Sequence, residues 1–330
     1  MEPTLNDTAL STLLSLHDAG ELKRADRLTE PGARARWRLT TTSGAYLLTL
    51  VEDRPFWDLV HEKDLVLFLA AQRDALGGLE VPDPLPNVAR GYFFPIETRY
   101  AWLMRFPRGR QLGVFELDAE ACRQVGAALG RLHRVARRFR GHRRHSARPA
   151  VLREWLRAAR GAPGEDVQQA VAEAHAELAW LRRPLGRLLP RGTLHGAPGL
   201  PAFRFHHGVL CHVGELGESS SGPLVADVGA ALCHWGFTAD GADAHRCGAL
   251  LAAYDAQRAL SPAERGALYA YARLGALRLL VGHLRDYELR QRADEPQGYR
   301  AFTPFLALLR VLRGMGRAGF RALWPDGWRR

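Results

Sequence analysis

The sequence predicts an α+β protein in two lobes. A small antiparallel-sheet lobe is expected over residues 1–105 and a larger, mostly helical lobe over 106–330. Three observations carry this expectation. From about residue 26 to residue 52 the apolar spacing is that of strands. Beyond residue 118 it is helical almost throughout. Between them lies a short Pro- and Gly-containing stretch, Arg105-Phe106-Pro107-Arg108-Gly109. At 330 residues the chain suits one large two-lobed unit or two domains, and its 47% apolar content is ordinary for a globular fold.

In chain order, residues 1–20 read as an amphipathic helix, with Leu5, Leu10, Leu13, Leu14 and Leu16 near helical spacing and Asn6 or Asp7 as cap. Arg36–Thr40 and Ala45–Val51 read as two strands joined by a turn at Thr41-Thr42-Ser43-Gly44. Glu62–Leu76 reads as a helix, and Tyr92–Phe94 and Tyr100–Met104 as strands. Asp118–Arg138 is a strong helix, and Pro163–Leu189 a second that Pro184 kinks or splits. Ser261-Pro262-Ala263-Glu264 is a helix start: Ser caps, Pro fills the first turn, and Glu follows three residues after Ser.

The net charge is +11, and Lys23 and Lys63 are the sole lysines, so the basic excess is almost entirely arginine. The densest charge runs from Arg134 to Arg153, with His142 and His145 inside it. Such a run is ordinarily a solvated helix end and loop. The competing reading is an anion surface; no nucleic-acid motif accompanies the run, so specific nucleic-acid recognition is not expected. There is no apolar run of membrane-spanning length and no signal-peptide pattern, which makes a cytoplasmic protein the expectation. Cys122, Cys211, Cys233 and Cys247 form no C-x-x-C pair and are expected to be buried and reduced. His206, His207, Cys211 and His212 are metal-ligand types, but alternation along a strand sends Cys211 and His212 to opposite faces. Ser219-Ser220-Ser221 reads as a polar loop, and no G-x-S-x-G is present.

The stretch Leu194–Phe237 gathers the residues that bear on function. His195 is followed by Gly196, Ala197 and, five further on, Ala202; Glu215 lies in Val213-Gly214-Glu215-Leu216, and Asp227 in Ala226-Asp227-Val228-Gly229-Ala230. This arrangement resembles the aminoglycoside-phosphotransferase superfamily, including the homoserine kinases. Their pattern is H-x-D-x-x-x-x-N, then a β-hairpin, an I-D-[FW] and a Y-D-L-A. Tyr46-Leu47-Leu48-Thr49-Leu50-Val51-Glu52 is similar to the Y-V-L-T-L-F-E of homoserine kinases, with Thr49 where protein kinases carry a phosphate-contacting Lys. Gly130-Arg131-Leu132-His133 resembles their L-A-R-L-H, Arg105–Gly109 their F-L-P-G hinge, and Ala272–Arg290 their A-L-R-F-L-L-x-R-L-x-D helix. Arg278 and Asp286 match there, and His283 replaces an Arg.

The resemblance implies a two-lobed protein-kinase-like fold. It also implies that His195 and Asp227 are structural groups of the loop, that Thr49 and Met104 lie near a nucleotide, and that the hairpin turns near His207-Gly208. The departures bear on chemistry. Ala197 stands where the family has its catalytic Asp, Ala202 where it has a metal-binding Asn, and Glu215 where it has a metal-binding Asp. Phosphoryl transfer needs a carboxylate to orient the attacking hydroxyl and oxygen ligands to hold Mg²⁺ on the phosphates. Alanine supplies neither, and Glu215 displaces its oxygens by roughly 1.5 Å, one carbon–carbon bond. A shift of about 1 Å can cost ~100-fold in rate. The expectation is a catalytically inactive, pseudokinase-like homologue that binds an unidentified small molecule or protein, with no catalytic residue and no cofactor assigned. The alternative is an atypical ATP-dependent phosphotransferase acting on a small amino or hydroxyl compound, homoserine-like, with ATP, Mg²⁺ and Glu215 as metal ligand.

Overall fold

A computed structural model describes residues 7–28, 35–51, 54–96, 99–144, 149–159, 164–182, 185, 189–238, 241–290 and 302–328. The chain opens with α1 (Asp7–Leu16), β1 (Leu22–Arg27), β2 (Arg36–Thr41), β3 (Ala45–Val51), α2 (Phe56–Ala70), β4 (Phe93–Ile96) and β5 (Arg99–Arg105). The five strands form one antiparallel sheet in the order β1-β2-β3-β5-β4. Alternation puts Leu39, Leu48, Leu50 and Leu103 on one buried face, where Leu10, Leu13 and Leu14 of α1 complete a small core.

The rest follows as α3 (Ala119–Ala136), α4 (Pro149–Ala158), α5 (Glu165–Leu181), β6 (Arg191–Leu194), β7 (Phe203–His206), β8 (Val209–Val213), β9 (Ser220–Pro223), α6 (Val225–Trp235), α7 (Ala244–Gln257), α8 (Pro262–Arg290) and α9 (Thr303–Arg321). These helices share a second, larger core, and α2 contributes Leu65, Val66 and Leu69 to it. The helix that precedes β4 and β5 is therefore packed against the helical part. Asp118 caps α3, accepting from Ala121 N–H at 2.7 Å, a contact of about 1 kcal/mol. Ser261 and Glu264 form the expected reciprocal cap at the start of α8. Gly229 lets α6 lie directly on α8, because a Cβ there would collide with the backbone of Tyr271 and Ala272. That close crossing aims Asp227 of α6 and Arg278 of α8 at the same loop.

Several expectations change. The helix expected over 62–76 spans Phe56–Ala70. Pro55 starts it early, and its first turn exposes Phe56 and Trp57, so the apolar periodicity begins a turn late. The helix expected over 163–189 spans Glu165–Leu181; Pro163, Pro184 and Leu188 lie outside the described residues, as do Leu5, Asn6, His145, Arg148 and the Asp286 side chain. Ser220 and Ser221 are strand, not loop: β9 pairs antiparallel with β6, Leu194 opposite Ser220 and Thr193 opposite Ser221. The hairpin turns where expected, with His207 and Gly208 both at positive φ between β7 and β8. Cys122, Cys233 and Cys247 are buried and free, whereas Cys211 is half-buried. No helix among the described residues is long and apolar enough to cross a membrane.

Candidate functional site

The loop joining β6 to β7 begins at His195, which is fully buried. Its Nε2–H donates to Gly214 O at 2.9 Å, and its Nδ1 accepts Ala197 N–H at 3.2 Å. Burial holds this imidazole below its ordinary pKa, so it is a neutral brace. Gly196 turns the chain at φ 89°, where a Cβ would collide with the Glu218 carbonyl. Asp227, in the first turn of α6, lies beneath both residues. Its carboxylate accepts His195 N–H at 2.6 Å and Gly196 N–H at 3.0 Å. His133 of α3 donates from Nε2 to the same carboxylate at 2.9 Å and contacts Tyr254 Oη at 2.7 Å. Burial alone would raise the Asp227 carboxyl, but the hydrogen bonds from His133 and Gly196 N–H hold it below the ordinary carboxylate range. The α6 N-terminus favours the same charge. Arg278 closes the loop from the other side, donating to Gly196 O at 2.8 Å. The structure therefore joins His195 and Asp227 directly.

The two positions above this floor are alanines. Ala197 is half-buried on the wall of a cavity of about 400 Å³. Ala202 is 1% exposed and belongs to the large core, and its polar contacts are backbone ones: it accepts Gly214 N–H at 2.7 Å and donates to Gly199 O at 3.1 Å. Neither side chain offers an oxygen.

Glu215 follows β8 in the left-handed region, φ 54° and ψ 39°, which costs a non-glycine roughly 1–2 kcal/mol. Arg36, at the start of β2, reaches from the sheet and binds both carboxylate oxygens, at 2.5 and 2.7 Å. Burial opposes the Arg36 charge, but this pair and nearby Glu62 hold its pKa above the ordinary value. Glu215, Arg36, Thr49 and Met104 all line a second cavity of about 400 Å³. Two buried polar atoms of residues on its wall, Thr49 Oγ1 and Trp102 Nε1, have no hydrogen-bond partner among the described residues. They fit a polar ligand such as a nucleotide. The hinge adds little to this. Arg105 N–H donates to Asp83 O at 2.9 Å, Phe106 N–H to Ala45 O at 3.0 Å, and Pro107 has none. The donor set fits Mg²⁺ poorly: both oxygens of Glu215 are on Arg36, and Ala202 has no side-chain oxygen. No group of three His, Cys, Asp or Glu side chains among the described residues is arranged to hold a metal, the His206–His212 cluster included.

The arginine-rich run is only in part a solvated surface. Arg143 is 11% exposed and built into the cavity beside Ala197. It donates to Gly217 O at 2.6 Å and Ser219 O at 3.2 Å, and pairs with Asp58 at 2.7 Å. Arg54 does similar work, holding Glu62 and Gly217 O at 2.7 Å each. The sequence marks His133 and Arg278 as motif positions. It does not single out Arg36, Arg54, Arg143 or Tyr254, because each is brought to the site by pairing or packing distant in the chain.

A five-stranded sheet hinged to a helical lobe, with a braced loop between them, is the architecture of kinase-like phosphotransferases. The chain belongs to that group: the model of the phosphotransferase enzyme family (APH) matches residues 28–263. It is 30% identical over 290 residues to homoserine kinase of Methylorubrum populi, covering 86% of this chain and 87% of that protein. Against homoserine kinase of Xanthobacter autotrophicus it is 31% identical over 281 residues, 84% of this chain and 85% of the other. Among solved structures, an amicoumacin kinase superposes with a TM-score of 0.67 at 15% identity, over 93% of this chain and 92% of that one, a likeness of fold.

Proposed function

We propose that this homoserine-kinase relative binds a small molecule in its cleft without transferring a phosphoryl group, acting as a binding or regulatory protein. The observation that carries the reading is the pairing of an intact loop with an empty set of reacting groups. Asp227, His195 and Arg278 hold the 195–197 backbone in place, so Ala197 sits in an ordered loop with no carboxylate. The sole acid at the metal position, Glu215, is neutralised by Arg36, so a guanidinium stands where a divalent cation would. Such a cleft would accept a nucleotide without Mg²⁺.

A second reading has its own support. The curated relatives that match over most of both chains are homoserine kinases. On that reading the protein phosphorylates a small amino or hydroxyl compound, and ATP and Mg²⁺ are its cofactors. It requires the Arg36–Glu215 pair to open. Loose phosphoryl-transfer transition states need little help from a base, so Ala197 does not by itself abolish the reaction.

Calorimetric titration with a non-hydrolysable ATP analogue, with and without Mg²⁺, separates the two. Binding that is unchanged by Mg²⁺ supports the first reading. Heat that appears only with Mg²⁺, and is lost in Glu215→Ala, supports the second.

A further inference from the structure

The cavity beside Ala197 is separate from the cleft that holds Thr49 and Glu215, and its charge is unusual. Arg54, Arg143, Arg278 and Arg285 line it, against two carboxylates, Asp58 and Glu218. The arginines are held rather than waving in solvent. Arg143 is fixed by Asp58 and two carbonyls, Arg278 by Gly196 O, Arg54 by Glu62 and Gly217 O, and Arg285 lies over the Trp155 ring at 4.4 Å. Guanidinium groups anchored in this way are pre-organised, and a guanidinium is the side chain best matched to phosphate oxygens. His234 on the same wall is kept neutral, pushed down to about 4 by burial and by Arg278, so it adds no charge and can still share a hydrogen bond.

A carboxylate at position 197 would stand in this cavity and repel an anion. With Ala197 that repulsion is gone, while the arginines remain. We infer that the cavity is a binding site for a small phosphate monoester, taken up as a dianion by the arginine cluster around Ala197. The inference rests on the proposed binding function, and it makes the ligand resemble the product of a phosphotransferase rather than its substrate.

The test is calorimetric titration of the full-length protein with O-phospho-L-serine, L-serine and inorganic phosphate, at low and at high salt. The phosphorylated compound is expected to bind at least tenfold more tightly than L-serine, with an affinity that falls as salt rises. It is also expected to bind more tightly than inorganic phosphate. Ala197→Asp, checked for an unchanged thermal melt, is expected to weaken it at least tenfold. Arg285→Gln, away from the loop brace, provides a second variant with a weakening in the same direction. Equal binding of serine and phosphoserine, or full affinity in both variants, overturns the inference. Equal binding of inorganic phosphate overturns the ester and leaves a site for the free anion. Failure here is distinct from failure of the function: turnover of Mg²⁺-ATP would remove the proposed function, whereas absent turnover with absent phosphoserine binding removes this inference alone.

Discussion

The floor and the wall of the 195–202 loop are made differently. The floor is a closed network in which Asp227, His195, His133 and Tyr254 are all essentially buried and each is hydrogen-bonded. Above it, Ala197 presents a methyl group to one cavity, Ala202 is packed into the large core, and Glu215, on a second cavity, is held by an arginine from the sheet. On the proposed reading, shape and reactivity are separable in this fold. The floor sets the loop geometry through interactions that stabilise the folded chain, whereas reacting groups at the wall would contribute little to folding.

Removing the floor should have the largest effect. Asp227→Ala strands the His195 and Gly196 N–H groups and a buried His133, and should cost about 3–5 kcal/mol in urea unfolding. A loss under about 1 kcal/mol would mean that the network does not hold the loop.

Acid should act next. His212 is buried and depressed from 6.5 to about 4, by burial first and then by Arg204. Its folded pKa lies below its unfolded one, so the unfolded chain binds the proton more readily. Stability is then complete above about pH 6.5 and falls as the pH drops toward 4, by about 2 kcal/mol between pH 7 and pH 5. His17, His61 and His195 are lowered as well and act with the same sign. Equal unfolding free energies at pH 7 and 5 would contradict this.

Changes at the wall should be smallest. Glu215→Gly relieves a left-handed backbone costing roughly 1–2 kcal/mol and loses a partly exposed ion pair worth about 1 kcal/mol. The net change in melting should be under about 1 kcal/mol. Arg36→Met sharpens the contrast functionally. It removes the Arg36 hydrogen bonds from both Glu215 oxygens, so nucleotide-analogue binding should become more dependent on Mg²⁺; titrations that stay indifferent to the metal would show that Arg36 is not what excludes it.

Legibility followed the range of the interaction. The caps at Asp118 and Ser261 and the turn at His207-Gly208 are local, and their residues announce them. His195 and Asp227 were visible through a motif. By contrast β1 is largely exposed and charged, so it shows no apolar alternation. The strands β6 and β9 are four residues each and exist only through pairing with one another across some 25 intervening residues. Arg36 and Arg143 are single arginines in an arginine-rich chain, and nothing in their neighbourhoods in sequence foretells contacts with Glu215 and Gly217 far along the chain.

The most direct test of the central claim is a single assay: phosphate transfer from Mg²⁺-ATP to L-homoserine and a panel of small amino alcohols, for the wild type and Glu215→Ala. Binding without transfer predicts no turnover above the protein-free background in either. Saturable turnover by the wild type that disappears in Glu215→Ala would contradict it and establish an active phosphotransferase.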